Sequence, residues 1–132
     1  MHTKDVGDLA EIAVAKKVMS LGKSVSFPFG DNERYDLLVD DGDIQKAQVR
    51  KAAYKQDCLV FRCYSNHREN GEIVRESFSS EQIDVFYVWC QEIDEVFKIP
   101  VEQVPNSTMS LRMEPAENGQ KKGVNWAEDY RI

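Results

Sequence analysis

Residues 35–53 read Tyr-Asp-Leu-Leu-Val-Asp-Asp-Gly-Asp-Ile-Gln-Lys-Ala-Gln-Val-Arg-Lys-Ala-Ala. Two stretches suited to strands, Tyr35–Val39 and Ile44–Ala53, flank Asp40-Asp41-Gly42-Asp43. Asp-Gly between such runs is a strong hairpin signal, because glycine accepts the positive φ that a tight turn demands. Side chains alternate across a strand. Lys46, Gln48, Arg50 and Ala52 therefore share one face, and Ala47, Val49 and Lys51 the other. Pairing across the turn brings Asp36 near Arg50. Aspartate is depleted in strands, so Asp36 needs a reason: a cap at the strand start, or a ligand.

Upstream, residues 4–21 predict a helix. Thr3 suits its N-cap, Asp5 and Asp8 suit its positive start, and Gly22 suits its stop. Ser24–Phe29 predicts a strand, followed by the polar loop 30–34. Downstream, Leu59–Tyr64 predicts a strand and the polar stretch 65–81 a long loop or lid. Ile83–Cys90 is an apolar run that predicts a central buried strand, and Val96–Ile99 another. Pro100 opens a short turn at 101–104. The tail predicts a strand at Leu111–Met113, a polar loop, and an aromatic end (Trp126, Tyr130) that docks on the body or faces another subunit. Helix first and strands after give an α+β fold with a mixed or mostly antiparallel sheet flanked by helices. A chain of 132 residues fits one domain, 1–132.

Composition limits the function classes. No apolar run approaches the ~18 residues that span a bilayer. The start of the chain lacks a signal-peptide layout, so a cytoplasmic location is expected. Cys58, Cys63 and Cys90 are odd in number and without CxxC spacing, which argues for reduced thiols and against zinc. The net charge of −6 and pI near 4.9 argue against nucleic-acid binding by bulk charge, since phosphate affinity rests on Lys and Arg. An acidic interaction protein fits that total. Any case for DNA must come from a local site.

Glu11 lies on the helix face that carries Gly7, Val14, Ala15 and Val18, opposite Lys16 and Ser20. A carboxylate on an apolar face needs a partner: a cation such as Arg34 or Lys51, a metal, or a hydrogen-bond donor. Asp36, the Gln48 side-chain carbonyl and the Val49 main-chain carbonyl are oxygen donors of the kind that hold Mg2+, with Mn2+ as a substitute. A metal there would acidify water for phosphodiester hydrolysis, and Arg50 beside it would offset charge on the phosphate. Asn32 and Arg34, just ahead of Asp36, are candidate DNA contacts. Lys51 and Arg62 are candidates too, within a basic rim that also takes in Lys46, Lys55, Arg68 and Arg75. His67 reads as a solvated loop residue.

The spacing Asp36-X11-Gln48-X-Arg50, preceded by Gly7-Asp8-Leu9-Ala10-Glu11, resembles the PD-(D/E)XK nuclease signature in the variant where Gln replaces the second acid. The blocks KDVGDLAE (4–11), FPFGDNERYDLLVDDG (27–42), AQVRKA (47–52), 83–105 and 120–132 resemble the small PD-(D/E)XK endonucleases typified by a cyanobacterial group I intron homing endonuclease. The resemblance implies a restriction-endonuclease-like core and Mg2+-dependent cleavage of double-stranded DNA by a homodimer or homotetramer, associated with the nucleoid when bound. It implies catalytic roles for Glu11, Asp36, Gln48 and position 50. The family carries lysine at position 50; here it is Arg50, which keeps the charge but cannot exchange a proton near neutral pH. The alternative is a DNA-binding protein on the same fold with impaired catalysis. A bulge that turned Lys51 inward would be another way to supply a lysine.

Overall fold

A computed structural model describes residues 3–30, 32–115, 119 and 123–132. The side chains of Thr3 and Lys4 fall outside that description, and with them the expected Thr3 cap. Most of the polar loop expected in the tail falls outside it too.

Helix α1 runs Thr3–Ser20. Gly22, at φ +84°, ends it as the sequence predicts. The Gly22 N–H donates to Met19 O and the Lys23 N–H to Val18 O, which satisfies carbonyls that the helix end would leave bare. Ala10, Val14 and Val18, spaced by four, are buried against the sheet. Burying a valine side chain contributes roughly 1.5–3 kcal/mol, so docking rather than propensity holds α1 in place.

The strands are β1 (Ser24–Ser26), β2 (Leu37–Asp40), β3 (Ile44–Lys55), β4 (Cys58–Arg62), β5 (Tyr64–Glu69), β6 (Glu72–Ser77), β7 (Val85–Cys90), β8 (Glu95–Pro100) and β9 (Thr108–Arg112). Seven form one sheet. In it β1-β2-β3-β4-β9 lie in order, and β7 pairs β3 and carries β8 on its far side. Only the β3–β7 pairing is parallel; the sheet is mixed and mostly antiparallel. On β7, Val85, Tyr87 and Trp89 face α1, while Phe86, Val88 and Cys90 join Leu59, Phe61, Phe97, Ile99 and Leu111 on the opposite face. Burial on both faces explains the continuous apolar run that marks β7 in the sequence.

The structure corrects several boundaries. Of the expected loop 65–81, residues 65–77 instead belong to a separate two-stranded hairpin of β5 and β6. Its turn is Asn70-Gly71, at φ +53° and +82°, a type I′ cue that the polar flanks mask. The first strand stops at Ser26, short of Phe29. Asp36 precedes β2 rather than lying in it. The tail strand is Thr108–Arg112, shifted by its pairing with β4. Among the described residues the helix layer is α1 alone, with 3-10 turns at Val101–Gln103 and Ala127–Asp129. Tyr130 docks on the core and donates its hydroxyl to Gln103 Oε1. The three cysteines are free. No helix among the described residues is long and apolar enough to cross a membrane.

Candidate active site

Asp36 is fixed where β2 begins. Its N–H donates to Ala47 O at 2.8 Å, and its Oδ2 accepts from the Val49 N–H at 2.8 Å. The carboxylate therefore completes the β3 edge where the β2 ladder has ended. The N–H and C=O of one strand residue point to the same edge, so the Val49 carbonyl faces the Asp36 side as well. Burial raises the Asp36 pKa, against the opposing pull of the Val49 N–H and the Arg50 charge.

Glu11 approaches from α1. It shares a cleft of about 310 Å3 with Asp8, Phe27, Glu33, Tyr35 and Asp36. Burial, then the charge of Asp36, then that of Asp8 raise its pKa from 4.5 to about 7. Among the described residues neither Arg34 nor Lys51 pairs with it. Two carboxylates that repel each other in a shared cleft would be stabilised by a cation between them.

Gln48 is 7% exposed and is the buried polar residue of the described core. It lies on the face of β3 away from α1. Its Nε2 donates to the main-chain carbonyl of Arg34 at 2.5 Å. With the nitrogen end committed, the side-chain carbonyl remains the end able to accept a cation.

Arg50 shares that face. Its Nη2 donates to Tyr64 O at 2.9 Å, and its guanidinium carbon lies 5.6 Å from the Phe78 ring centroid. Its Nε is buried without a partner. Burial lowers its pKa and the neighbouring Asp36 raises it; Arg62 and Arg34 add to the lowering. No Arg50–Asp36 ion pair within 4 Å occurs among the described residues, so the cation does not fill the carboxylate site.

The other sequence candidates scatter. Asn32 and Lys51 are exposed. Arg62 is exposed, 6.0 Å from the Tyr64 ring. The β3–β7 register is unbroken from Ala47 to Ala52, so no bulge turns Lys51 inward there. The Arg34 guanidinium donates to Ser65 Oγ (2.6 Å), Ser77 O (3.1 Å) and Gln82 Oε1 (3.2 Å), and pairs with the Glu76 carboxylate at 2.9 Å. His67 lies in β5, 3.6 Å from each of Glu69 and Glu76. Sequence reasoning assigned Asp8, one helical turn from Glu11 and lining the same cleft, only to the helix start, and it passed over Phe78, whose signal is a lone aromatic in a polar stretch.

The donors that the residues offer a divalent metal are the Asp36 carboxylate, the Gln48 carbonyl and the Val49 carbonyl, with Glu11 alongside. These are hard oxygen donors, as Mg2+ and Mn2+ require. Among the described residues no three of His, Cys, Asp and Glu gather to hold a metal. A metal held there would need an amide and a main-chain carbonyl to complete its set.

An α1-backed mixed sheet, with carboxylates at its edge and an amide and a cation on the strand behind them, defines a restriction-endonuclease-like class. The chain belongs to the PD-(D/E)XK endonuclease family, whose profile matches residues 1–132. Among solved structures it is similar to the bacterial homing endonuclease I-Ssp6803I, at 24% identity and a TM-score of 0.80 over 99% of this chain and 89% of that one. At that identity the likeness establishes the fold. Among curated proteins none matches the sequence.

Proposed function

We propose that this protein is a Mg2+-dependent endonuclease that hydrolyses phosphodiester bonds of double-stranded DNA, in a homing or restriction-like role, with Mn2+ able to substitute. The observation that carries this reading is the Asp36 carboxylate, anchored through one oxygen by the Val49 N–H, beside Glu11 in an acidic cleft. Family membership supports it, and so does the likeness in fold to a bacterial homing endonuclease.

In this reading Asp36, Gln48 and the Val49 carbonyl hold the metal. When bound, a divalent cation acidifies the attacking water and offsets negative charge gathering on the phosphate. Asp36 is held in register by a main-chain donor, so its free oxygen is pre-aimed and little ordering remains at the moment of binding. Glu11 supplies the second carboxylate. Arg50 adds a fixed positive charge behind Asp36 but cannot relay a proton.

A 132-residue subunit reaches a short stretch of duplex, so a long recognition site calls for a homodimer or homotetramer. The setting proposed is the cytoplasm, with the nucleoid as the place of DNA contact. Cleavage of duplex DNA with Mg2+, set against Asp36→Asn, tests the proposal. Absence of cutting both by this chain and by Arg50→Lys refutes it. One observation favours the alternative of a DNA-binding protein with impaired catalysis: Arg50 is committed to Tyr64 O rather than left free toward the cleft. That reading predicts salt-sensitive duplex binding without cutting, and cutting gained in Arg50→Lys.

A further inference from the structure

Arg34 joins two parts of the molecule that no β ladder connects. The β5–β6 hairpin forms its own two-stranded sheet. Most of its side chains beyond Tyr64 are exposed. A lone hairpin is marginal in water, so side chains at its base must hold it to the body. Phe78 is one anchor, packed edge-on to Phe86 with ring centroids 5.6 Å apart. The Arg34 guanidinium is another. Its two terminal nitrogens bind Ser65, Ser77, Glu76 and Gln82, and its guanidinium carbon lies 3.9 Å from the Phe78 ring centroid. The opposite end of the same residue, its carbonyl, takes the Gln48 amide.

We propose that Arg34 is a positioning residue that couples the β5–β6 hairpin to the Gln48 side chain, so that moving the hairpin re-aims the Gln48 carbonyl. The function of that carbonyl as a metal ligand rests on the reading given above; the coupling itself does not. A glutamine amide offers donors at one end and an acceptor at the other. Which end is left free is set by the partner that captures the nitrogen. That partner is a main-chain oxygen in the loop ahead of β2, and the loop is held by the grip of Arg34 on the hairpin. A macromolecule that displaces the hairpin would therefore change the donor set beside Asp36 without touching it.

The test uses the full chain labelled with 15N. The Gln48 side-chain amide signal is assigned by its loss in Gln48→Leu. In the parent protein it is expected away from the position of a solvated glutamine and slow to exchange. In Arg34→Ala it moves to the solvated position while β7 amides stay protected; in Arg34→Lys, which cannot fill four acceptors, it moves part of the way. Ser65→Ala, which removes one acceptor, gives a smaller shift of the same sign and serves if Arg34→Ala fails to fold. Mn2+ affinity, read by electron paramagnetic resonance, is expected to fall about 10–100-fold in Arg34→Ala. A Gln48 signal that stays put while hairpin amides such as those of Asn66 and Val74 exchange faster overturns the coupling. A parent protein that binds no Mn2+ overturns the metal reading instead, and the Gln48 signal still decides the coupling.

Discussion

Glu11→Gln isolates the electrostatic cost of the cleft, because glutamine keeps the size of the side chain and removes its charge. The Glu11 carboxyl is raised from 4.5 to about 7, first by burial and then by Asp36 and Asp8. A carboxyl whose pKa is raised on folding binds its proton more tightly in the folded state. Its contribution is fully present below about pH 4.5 and is lost as pH climbs toward 7. The whole shift would be worth at most about 3.4 kcal/mol. Glu11 is only half-buried, and screening by solvent reduces this to roughly 1 kcal/mol. In a domain of this size that is about 4 °C in Tm. Thermal unfolding from pH 5 to pH 8 is expected to show Glu11→Gln gaining on the parent by that amount, since titrating groups not coupled to Glu11 cancel in the difference. Mg2+ at pH 8 should then stabilise the parent more than the variant. A parent–variant gap that is flat across this range would refute the shared-cleft account.

Three further outcomes follow from the same geometry. Asp36→Asn should fold, because an amide oxygen still accepts from the Val49 N–H, yet cut DNA at least about 100-fold more slowly in a gel assay, as loss of a key electrostatic group does. Arg50→Lys is expected to cut duplex DNA at least as fast as the parent in the same assay, since lysine keeps the charge and restores an exchangeable proton. Phe29, fully exposed beside the cleft, buries nothing, so Phe29→Ala should change unfolding stability by less than about 0.5 kcal/mol in denaturant titrations.

Much of the fold was legible because burial writes periodicity into sequence. The stop at Gly22, the turn at Asp40–Asp43 and the all-apolar β7 each carried a local cue that tertiary structure honoured. The β5–β6 hairpin did not. Its side chains are mostly solvated on both faces, so no apolar alternation marks it, and its Asn-Gly turn stands alone. At the site, the nearness of Asp36 to β3 followed from hairpin pairing. The capture of the Val49 N–H by the Asp36 side chain did not, because it depends on the β2 ladder ending one residue early. Arg34 shows the same limit. Its place ahead of Asp36 suggested a DNA contact, but its guanidinium reaches across 43 residues of sequence to Ser77, and no local pattern encodes such a partner.

The net charge of −6 seemed to argue against a DNA enzyme, and the structure shows why a total is a poor guide. Charges act over a Debye length of ~8 Å at physiological salt, so a phosphate senses the nearest groups rather than the sum. Asp8, Glu11, Glu33 and Asp36 concentrate acid in one cleft, where a divalent cation would offset two of those charges. Arg34, Arg50 and Arg62 gather on the hairpin side of β3, close enough for Arg34 and Arg62 to lower the pKa of Arg50. The acidic cleft and this arginine cluster thus lie on different sides of β3. Arg34 pairs its charge with Glu76, and the half-buried Arg50 donates to Tyr64 O. The cations left at the surface near the site therefore include Arg62 and Arg75, the latter 4.1 Å from the Tyr64 ring. Lys46, Lys51, Lys55 and Arg68 are also exposed, and the cations that one subunit can bring to the duplex set an upper bound on its salt dependence, because each phosphate neutralised adds about 0.9 to the log–log slope. Duplex binding with a much steeper slope would point to more than one subunit on the DNA.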